Sequence, residues 1–359
     1  MADGTEGTEI AEEYRRYSSR KVLFLVAMAV LLLALSIFTI KLGSTGLTYG
    51  DILHYLLHPD DSWNSTVVWD LRLPGIVAAL VAGSALGIAG SVMQGILRNP
   101  MASPFTLGLS NAAAFGAALA IMFLGAGTIT HSSSAFLTID QPMMVTLFAF
   151  GFAMISVGVI LLLMKTINTN PETIVLAGLA ISAIFSALLA FMQYIADDVV
   201  LSLIVFWQFG SLDKADWGDL GVIFAVLAVV AVYFVAKRWD YNAMEAGEDV
   251  AKGLGVKVDR TMVLGLVASA MLTAIVVSYM GVIGFIGLIG PHMVKRVIGN
   301  DFRYLLPGSM MMGSLVLLLS YVVGTYAFDM VIPVGIITSA IGGPMFIYIL
   351  IRGRKRCSV

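Results

Sequence analysis

Long apolar stretches recur along the whole chain, with short polar segments between them. A helix needs about 20 apolar residues to cross the hydrocarbon core of a bilayer, and this pattern predicts ten spans. The uncharged stretch Thr261–Val294 is too long for one span, so its glycines and Gly290-Pro291 predict a reversal followed by a short, broken eighth helix. Nine spans is the alternative count. The ten predicted spans are Val22–Ile40, Pro74–Ile96, Leu107–Leu124, Met143–Met164, Thr173–Ile195, Leu220–Ala236, Met262–Val282, Ile283–Val297, Leu305–Tyr326 and Pro333–Ile351.

Composition places the chain among membrane proteins. Hydrophobic residues make up 59% and charged residues 12%, and the mean hydropathy is +0.92. Soluble domains average roughly 45–50% apolar and 25% charged residues, so a soluble globule and a disordered chain are both excluded. The net charge of −2 gives no basic excess for nucleic acid, and the single cysteine cannot form an internal disulfide. The first apolar run is too long for a cleaved signal peptide, so we expect it to be retained as a span.

Basic residues decide the orientation. With ten spans and a cytoplasmic N-terminus, only Lys41, Arg72 and Lys214 of the 21 Lys and Arg lie outside, as the positive-inside rule requires. The predicted fold is an all-α polytopic membrane protein with both termini in the cytoplasm. It has a cytoplasmic segment 1–21, a transmembrane domain 22–352 and a cytoplasmic tail 353–359.

Several kinds of chemistry are missing from the sequence. There is no P-loop for ATP, no paired carboxylates and no nucleophile beside a base, so we expect no catalytic residue. The middle of every span lacks Asp, Glu, Lys and Arg, which argues against a proton- or sodium-coupled carrier. The sequence therefore favours a conduit driven by another subunit. An ion-coupled secondary transporter is the alternative function, and a structural membrane subunit is a weaker one.

The longest cytoplasmic loop is 237–260. Good helix formers from Met244 to Lys252 predict a helix, which Gly253 and Gly255 can stop. Met244, Ala251 and Leu254 are expected to share its apolar side. From the residues alone, this loop is either a solvated connector or a docking element for a cytoplasmic motor.

Small residues form stripes on two predicted spans. Gly83 and Gly87 make a G-x-x-x-G, continued by Gly90, which lets two helix backbones approach closely. In the fifth span, Gly178, Ser182, Ser186 and Gln193 fall within about 80° of one another at 100° per residue. This second stripe fits either helix packing or the lining of a solute path.

The external segments carry weaker signals. Leu47–Leu57 has an amphipathic pattern, and the aromatic residues of Phe206–Gly210 are typical of anchors at the membrane interface. His54 and His58 are four residues apart, but a metal site needs three or four ligands and no third is evident, so we predict no metal site. His292 follows Pro291 at the cytoplasmic end of a span, where packing or capping is expected.

Six segments in order now indicate a family. Spread over about residues 20–353, they resemble the FecCD/BtuC-type permeases of ABC importers, which take up iron–siderophores, haem and cobalamin. Gly75 stands where the family often has a second arginine, and another arginine is missing near Gly324, so docking here is expected to use different charge pairs. The segments are Leu71–Pro74, Gln94–Gly108, Gly284–His292, Leu306–Gly308, Pro333–Thr338 and Gly342–Phe346.

The resemblance implies partners. It implies a homodimer that moves a metal-chelate or a corrinoid, two separate ATPase subunits and an extracytoplasmic solute-binding protein. ATP and Mg belong to the ATPase, and no cofactor is expected on this chain.

The resemblance also implies roles for particular residues. Those expected to couple to the ATPase are Glu245, Gly247, Glu248, Ala251, Gly253, Leu254 and Gly255; those along the path are Gly178, Ser182, Ser186, Gln193 and Thr338; those at the internal gate are Asn168, Asn170 and Pro171; and Arg72 is expected to dock the binding protein.

Overall fold

The computed structural model describes residues 3–43, 46–125, 127–130, 136–139, 141–166 and 171–354. These residues form an all-helical fold with one small β-hairpin. The helices are α1 (Asp3–Lys41), α2 (Tyr49–Leu57), α3 (Trp63–Thr66), α4 (Leu73–Ile96), α5 (Leu109–Phe123), α6 (Pro142–Thr166), α7 (Pro171–Ile195), α8 (Asp198–Gln208), α9 (Trp217–Ala236), α10 (Arg238–Ala246), α11 (Glu248–Gly253), α12 (Val258–Met280), α13 (Ile286–Ile298), α14 (Phe302–Tyr326) and α15 (Val334–Arg354).

Every predicted span lies on a helix. Within the described ranges, seven helices are long and apolar enough to cross a membrane. Helices α5 and α13 are shorter, and so is the apolar part of α15, Val334–Tyr348. Helix α1 runs from Asp3 without interruption, so the predicted cytoplasmic segment and the first span form one helix. The exception to the all-α prediction is the hairpin of β1 (Gly127–Thr130) and β2 (Phe136–Ile139), which are antiparallel.

The predicted reversal and the short eighth helix are confirmed, but the prediction that this helix is broken is wrong, because α13 is continuous from Ile286 to Ile298. The chain leaves α12 at Gly281, continues without helix to Phe285, and both residues have positive φ. Pro291 lies inside α13 and does not end it. Proline has no N–H, so the carbonyl of Gly287 loses its helical donor. The Nε2 of Gln94 is 3.4 Å from that oxygen and replaces the missing donor.

Helix α4 lies at the centre of the fold and packs against α9, α12, α13 and α14. Its small residues make this possible, because a Cβ at Gly83 would lie against the backbone of α14 and a Cβ at Gly90 would overlap the carbonyl of Gly287. The close approach predicted from the G-x-x-x-G pattern is therefore confirmed, and it occurs within one subunit.

The helix that enters α4 contains a π-helical turn at Val67–Arg72. Pro74 explains its position, since a proline ring clashes with the carbonyl four residues earlier. The backbone N–H of Leu73 bonds instead to Val68, five residues back, as in a π-bulge. The sequence analysis did not anticipate this turn, which carries Arg72.

Linkers predicted to lie on one side of the membrane contact one another. On the predicted external side, the Trp217 indole donates to the Trp69 carbonyl, and the N–H of Gly335 bonds to Gly210. On the predicted cytoplasmic side, the hydroxyls of Ser18 and Tyr304 are hydrogen-bonded. These contacts agree with the assignment of the linkers to alternate sides of the membrane, which rests on the distribution of Lys and Arg.

The prediction of external aromatic anchors is partly wrong. Phe206 and Phe209 are exposed, but Trp207 is buried because it lies on the inner side of α8, a helix that the sequence analysis did not predict. The nearby Lys214 donates to the carbonyls of Phe206 and Trp207 at the end of α8. Burial lowers the pKa of Lys214 to about 8.

Candidate functional site: the cytoplasmic connector and α7

The connector between α9 and α12 is two short helices, not the single helix predicted from Met244 to Lys252. Gly247 has φ of +134° and ψ of +151° between α10 and α11. This φ favours glycine, so Gly247 permits the change of direction. The stop predicted at Gly253 and Gly255 is confirmed, since α11 ends at Gly253 and Gly255 has a positive φ.

The turn at Gly247 changes which side chains share a face. Met244 and Ala251 are both buried, as expected, but Leu254 is 69% exposed. The expected shared apolar side is therefore wrong for Leu254. Val250 is also exposed, at 49%. Helix α11 is thus held through Ala251 and presents two large aliphatic side chains to the surroundings.

Charged residues surround this exposed apolar pair. Lys252 Nζ is 2.8 Å from Glu248 Oε1 in an i,i+4 ion pair. The hydrogen bond in that pair lowers the pKa of Glu248 and raises the pKa of Lys252. The charge of Arg98, on the loop after α4, also lowers the pKa of Glu248. Sequence reasoning gave Arg98 no role, since only the tertiary fold brings it near α11.

Helix α10 is fastened to the start of α14. Asn242 accepts the backbone N–H of Phe302 at 2.8 Å, and the side-chain amide of Asn300 donates to Glu245 Oε1 at 2.7 Å. The ring of Tyr241 is buried, with its centroid 5.5 Å from that of Phe302. Glu245 therefore lies against the α13–α14 loop, so the connector contacts the segment that leads into α14.

The predicted path residues on α7 differ in their surroundings. Gly178 is buried, and a Cβ there would overlap the carbonyl of Thr106. The amide of Asn111 donates to the Oγ of Ser182 at 2.7 Å. Within one subunit, both residues thus pack against the Pro104–Leu107 turn and α5. Ser186 is exposed and Gln193 is half-buried.

Much of α7 has no partner inside the subunit, since only 22% of its most apolar 18-residue segment is buried. Its large exposed side chains include Leu179, Ile184, Phe191 and Tyr194, and Tyr194 is 87% exposed. Thr338, the path residue expected on α15, is buried and donates to the carbonyl of Gly335. The neighbouring Ser339 is exposed.

The predicted internal gate lies at the beginning of α7. Asn168 and Asn170 fall outside the described residues, while Pro171 is the first residue of α7. A cavity of about 160 Å³ lies between α6 and α7 close to this point, lined mostly by apolar side chains that include Met164 and Ile174.

Arg72 is 6% exposed, and its guanidinium donates to the carbonyl of Ile40 in the last turn of α1. A cation at this position offsets the negative end of the α1 dipole. Sequence reasoning missed this contact, because the two residues belong to different helices. The docking role expected for Arg72 remains a prediction.

The rings of His54 and His58 are stacked with centroids 5.4 Å apart. Across the described part of the chain, no group of three or more His, Cys, Asp or Glu side chains is placed to hold a metal ion.

Comparisons with known proteins agree with one another. The model of the FecCD transport family matches residues 31–352. A protein of Methanocaldococcus jannaschii named as an ABC transporter permease, MJ0087, is 42% identical over 97% of this chain and 99% of its own length. The hemin transport permease HmuU of Yersinia pestis is 32% identical over 94% and 97%. A solved metal-chelate type ABC transporter in an inward-facing conformation superposes with a TM-score of 0.77 at 29% identity, covering 93% of this chain and 99% of that one.

Proposed function

This chain belongs to the FecCD transport family and is a permease subunit of an ABC importer in the cytoplasmic membrane; from that premise we propose that two copies of it form the passage for a metal-chelate or a corrinoid. Members of the family are not themselves enzymes and work with separate ATPase and binding-protein partners. This membership removes the support for an ion-coupled carrier.

Coupling to the ATPase is proposed at α11, and the observation that carries this proposal is the exposure of Val250 and Leu254. Large aliphatic side chains held rigidly in an aqueous compartment favour a protein partner that covers them. The connection of α10 to α14 gives a route by which a displacement of α11 reaches the central helices. Energy then enters because the ATPase binds two states of the permease with different affinity.

The passage is proposed along α7, between two copies of the chain. Ser186 and Gln193 support this proposal, because uncharged polar groups facing hydrocarbon without a partner are costly. A second subunit and a hydrated path supply both apolar and polar contacts to the same helix. Gly178 and Ser182 are then the packed edge of the stripe, and Ser186 and Gln193 its accessible part.

The cargo class is proposed from the relatives and from the character of the path. Relatives include permeases for hemin, for Fe(3+)-citrate in Bacillus subtilis and for vitamin B12 in Salmonella paratyphi A. Small neutral polar groups suit a bulky, moderately polar solute. The choice among these cargoes is assigned to the binding protein.

Transport in proteoliposomes tests the proposal. The permease is reconstituted with its ATPase and binding protein, and uptake of haem, an iron–siderophore, Fe(3+)-citrate and cobalamin is compared with and without ATP. ATP-dependent uptake of one cargo is expected. Gradient-driven accumulation by the permease alone would overturn the proposal.

Charge reversal on α11 tests the coupling site. The double variant Glu248→Lys/Asp249→Lys is expected to retain expression and lose uptake while the ATPase continues to hydrolyse ATP. The swap Glu248→Lys/Lys252→Glu keeps the ion pair and serves as the matched control. Unchanged transport in the double variant would refute a coupling role for these residues.

A further inference from the structure

Helix α2 is a short, firmly fixed helix at the end of α1 that the predicted orientation places outside. A capping box starts it: the Oγ1 of Thr48 accepts from the N–H of Asp51, and the Asp51 carboxylate accepts from the N–H of Thr48 at 2.9 Å. Such a cap fixes the first turn. Ile52 is buried, and α2 packs against α1, α3 and the π-turn that precedes α4.

The helix has three distinct sides. Ile52 faces the protein. Tyr49, Leu53 and Leu57, spaced four residues apart and therefore on one side, are 49%, 58% and 66% exposed. The remaining polar side is formed by residues that are all exposed: Asp51, His54 and His58.

This order of sides is the geometry of a helix in a membrane interface beside a protein. Amphipathic helices of this kind bury their apolar face at the boundary between headgroups and acyl chains and keep the polar face in water. In water, three large apolar side chains in a row would remain exposed at a free-energy cost. The bilayer covers them without any further protein.

Continuity with α1 identifies lipid as the occupant. Only 17% of the most apolar window of α1 is buried, and Leu33, Ile37 and Phe38 in its last turns are exposed. These side chains belong to a membrane span and therefore face lipid. Lys41, the last residue of α1, lies with its Nζ 4.5 Å from the centroid of the Tyr49 ring, so the exposed side of α2 begins where the lipid-facing surface of α1 ends.

The position of α2 argues against the binding protein as the occupant. Helix α1 packs against α4 and α14, whereas α7 packs against α5, α6 and the Pro104–Leu107 turn. Helix α2 therefore lies beside helices other than those that pack against α7. A partner delivering solute to that passage has no need to cover α2.

We propose that α2 lies in the interface on the external side of the cytoplasmic membrane and binds the lipid surface through Tyr49, Leu53 and Leu57. Its polar side, with His54 and His58, then faces water. The helix thereby anchors the chain between α1 and the π-turn at the depth of the headgroups. The choice of lipid over the binding protein rests on the proposed passage along α7, and α2 binds lipid whatever the cargo or the coupling site.

Depth-dependent fluorescence quenching tests the inference. Cys357, the single native cysteine, is replaced by serine, and single cysteines are introduced at Leu53 and Leu57. His54 on the same helix and His58 at its C-cap are the matched controls. Each variant is labelled with a small environment-sensitive fluorophore in nanodiscs of phosphatidylcholine and phosphatidylglycerol. Quenching by a nitroxide attached to the lipid is compared with quenching by aqueous iodide, after size-exclusion chromatography has verified folding.

The expected result is quenching by lipid nitroxide about threefold stronger at positions 53 and 57 than at 54 and 58, with the reverse order for iodide. Equal iodide quenching at all four positions would overturn the inference. So would protection of positions 53 and 57 from both quenchers, because that result means that protein covers this side of α2.

Discussion

Leu254 offers the sharpest test of the coupling surface. Full burial of a leucine side chain is worth roughly 1.5–3 kcal/mol, and 69% of Leu254 is exposed in the free subunit. About two thirds of that gain, on the order of 1–2 kcal/mol, therefore remains available for a partner that buries it. Since 1.4 kcal/mol corresponds to a factor of ten, Leu254→Ala should weaken binding of the ATPase subunit by about 5- to 30-fold.

Binding is measured by biolayer interferometry with the permease in nanodiscs and the ATPase subunit in solution. The variant should keep its thermal stability, because the side chain makes little contact within the subunit. Leu57→Ala on α2 is the matched control, since Leu57 is 66% exposed on the side of the membrane opposite the predicted ATPase. An affinity within twofold of wild type for Leu254→Ala, or an equal loss for Leu57→Ala, would refute the assignment of α11 as the docking surface.

Three further predictions concern packing and titration. Gly90→Ala should lower stability by about 1–3 kcal/mol or prevent folding, because its Cβ would overlap a backbone carbonyl. The control Gly151→Ala, with open space around its Cβ, should be neutral or slightly stabilising. The two variants are compared by yield and by thermal unfolding in detergent. Gln94→Leu should cost about 1–3 kcal/mol by the same assay, since the carbonyl that Pro291 leaves unpaired loses its donor, and wild-type stability in this variant would contradict that role. Burial lowers the pKa of Lys214 in the folded chain to about 8, so between about pH 8 and pH 10 the unfolded chain keeps a proton that the folded chain has released. The wild-type protein should therefore gain stability relative to Lys214→Met as the pH rises through this window. A stability difference that does not change with pH would contradict the lowered pKa.

Sequence reasoning misplaced side chains whose direction depends on how the chain turns nearby. Leu254 was expected on the apolar side with Ala251, but the turn at Gly247 directs it outward. Trp207 was expected at the lipid interface, but α8 turns it inward. A periodicity argument assumes one continuous helix, so it fails at a break whose direction depends on the segments that pack on either side.

The sequence alone determined the membrane class, the positions of ten helices and the close packing at Gly83 and Gly90, because hydrophobic length and residue size act locally along the chain. The six ordered motifs were also sufficient to identify the family. Only the tertiary structure decided that Arg72 lies against the end of α1, that Gly178 packs against Thr106 and that Arg98 lies near Glu248. Those relations join residues that are distant in sequence, and their energies depend on which groups the fold brings together.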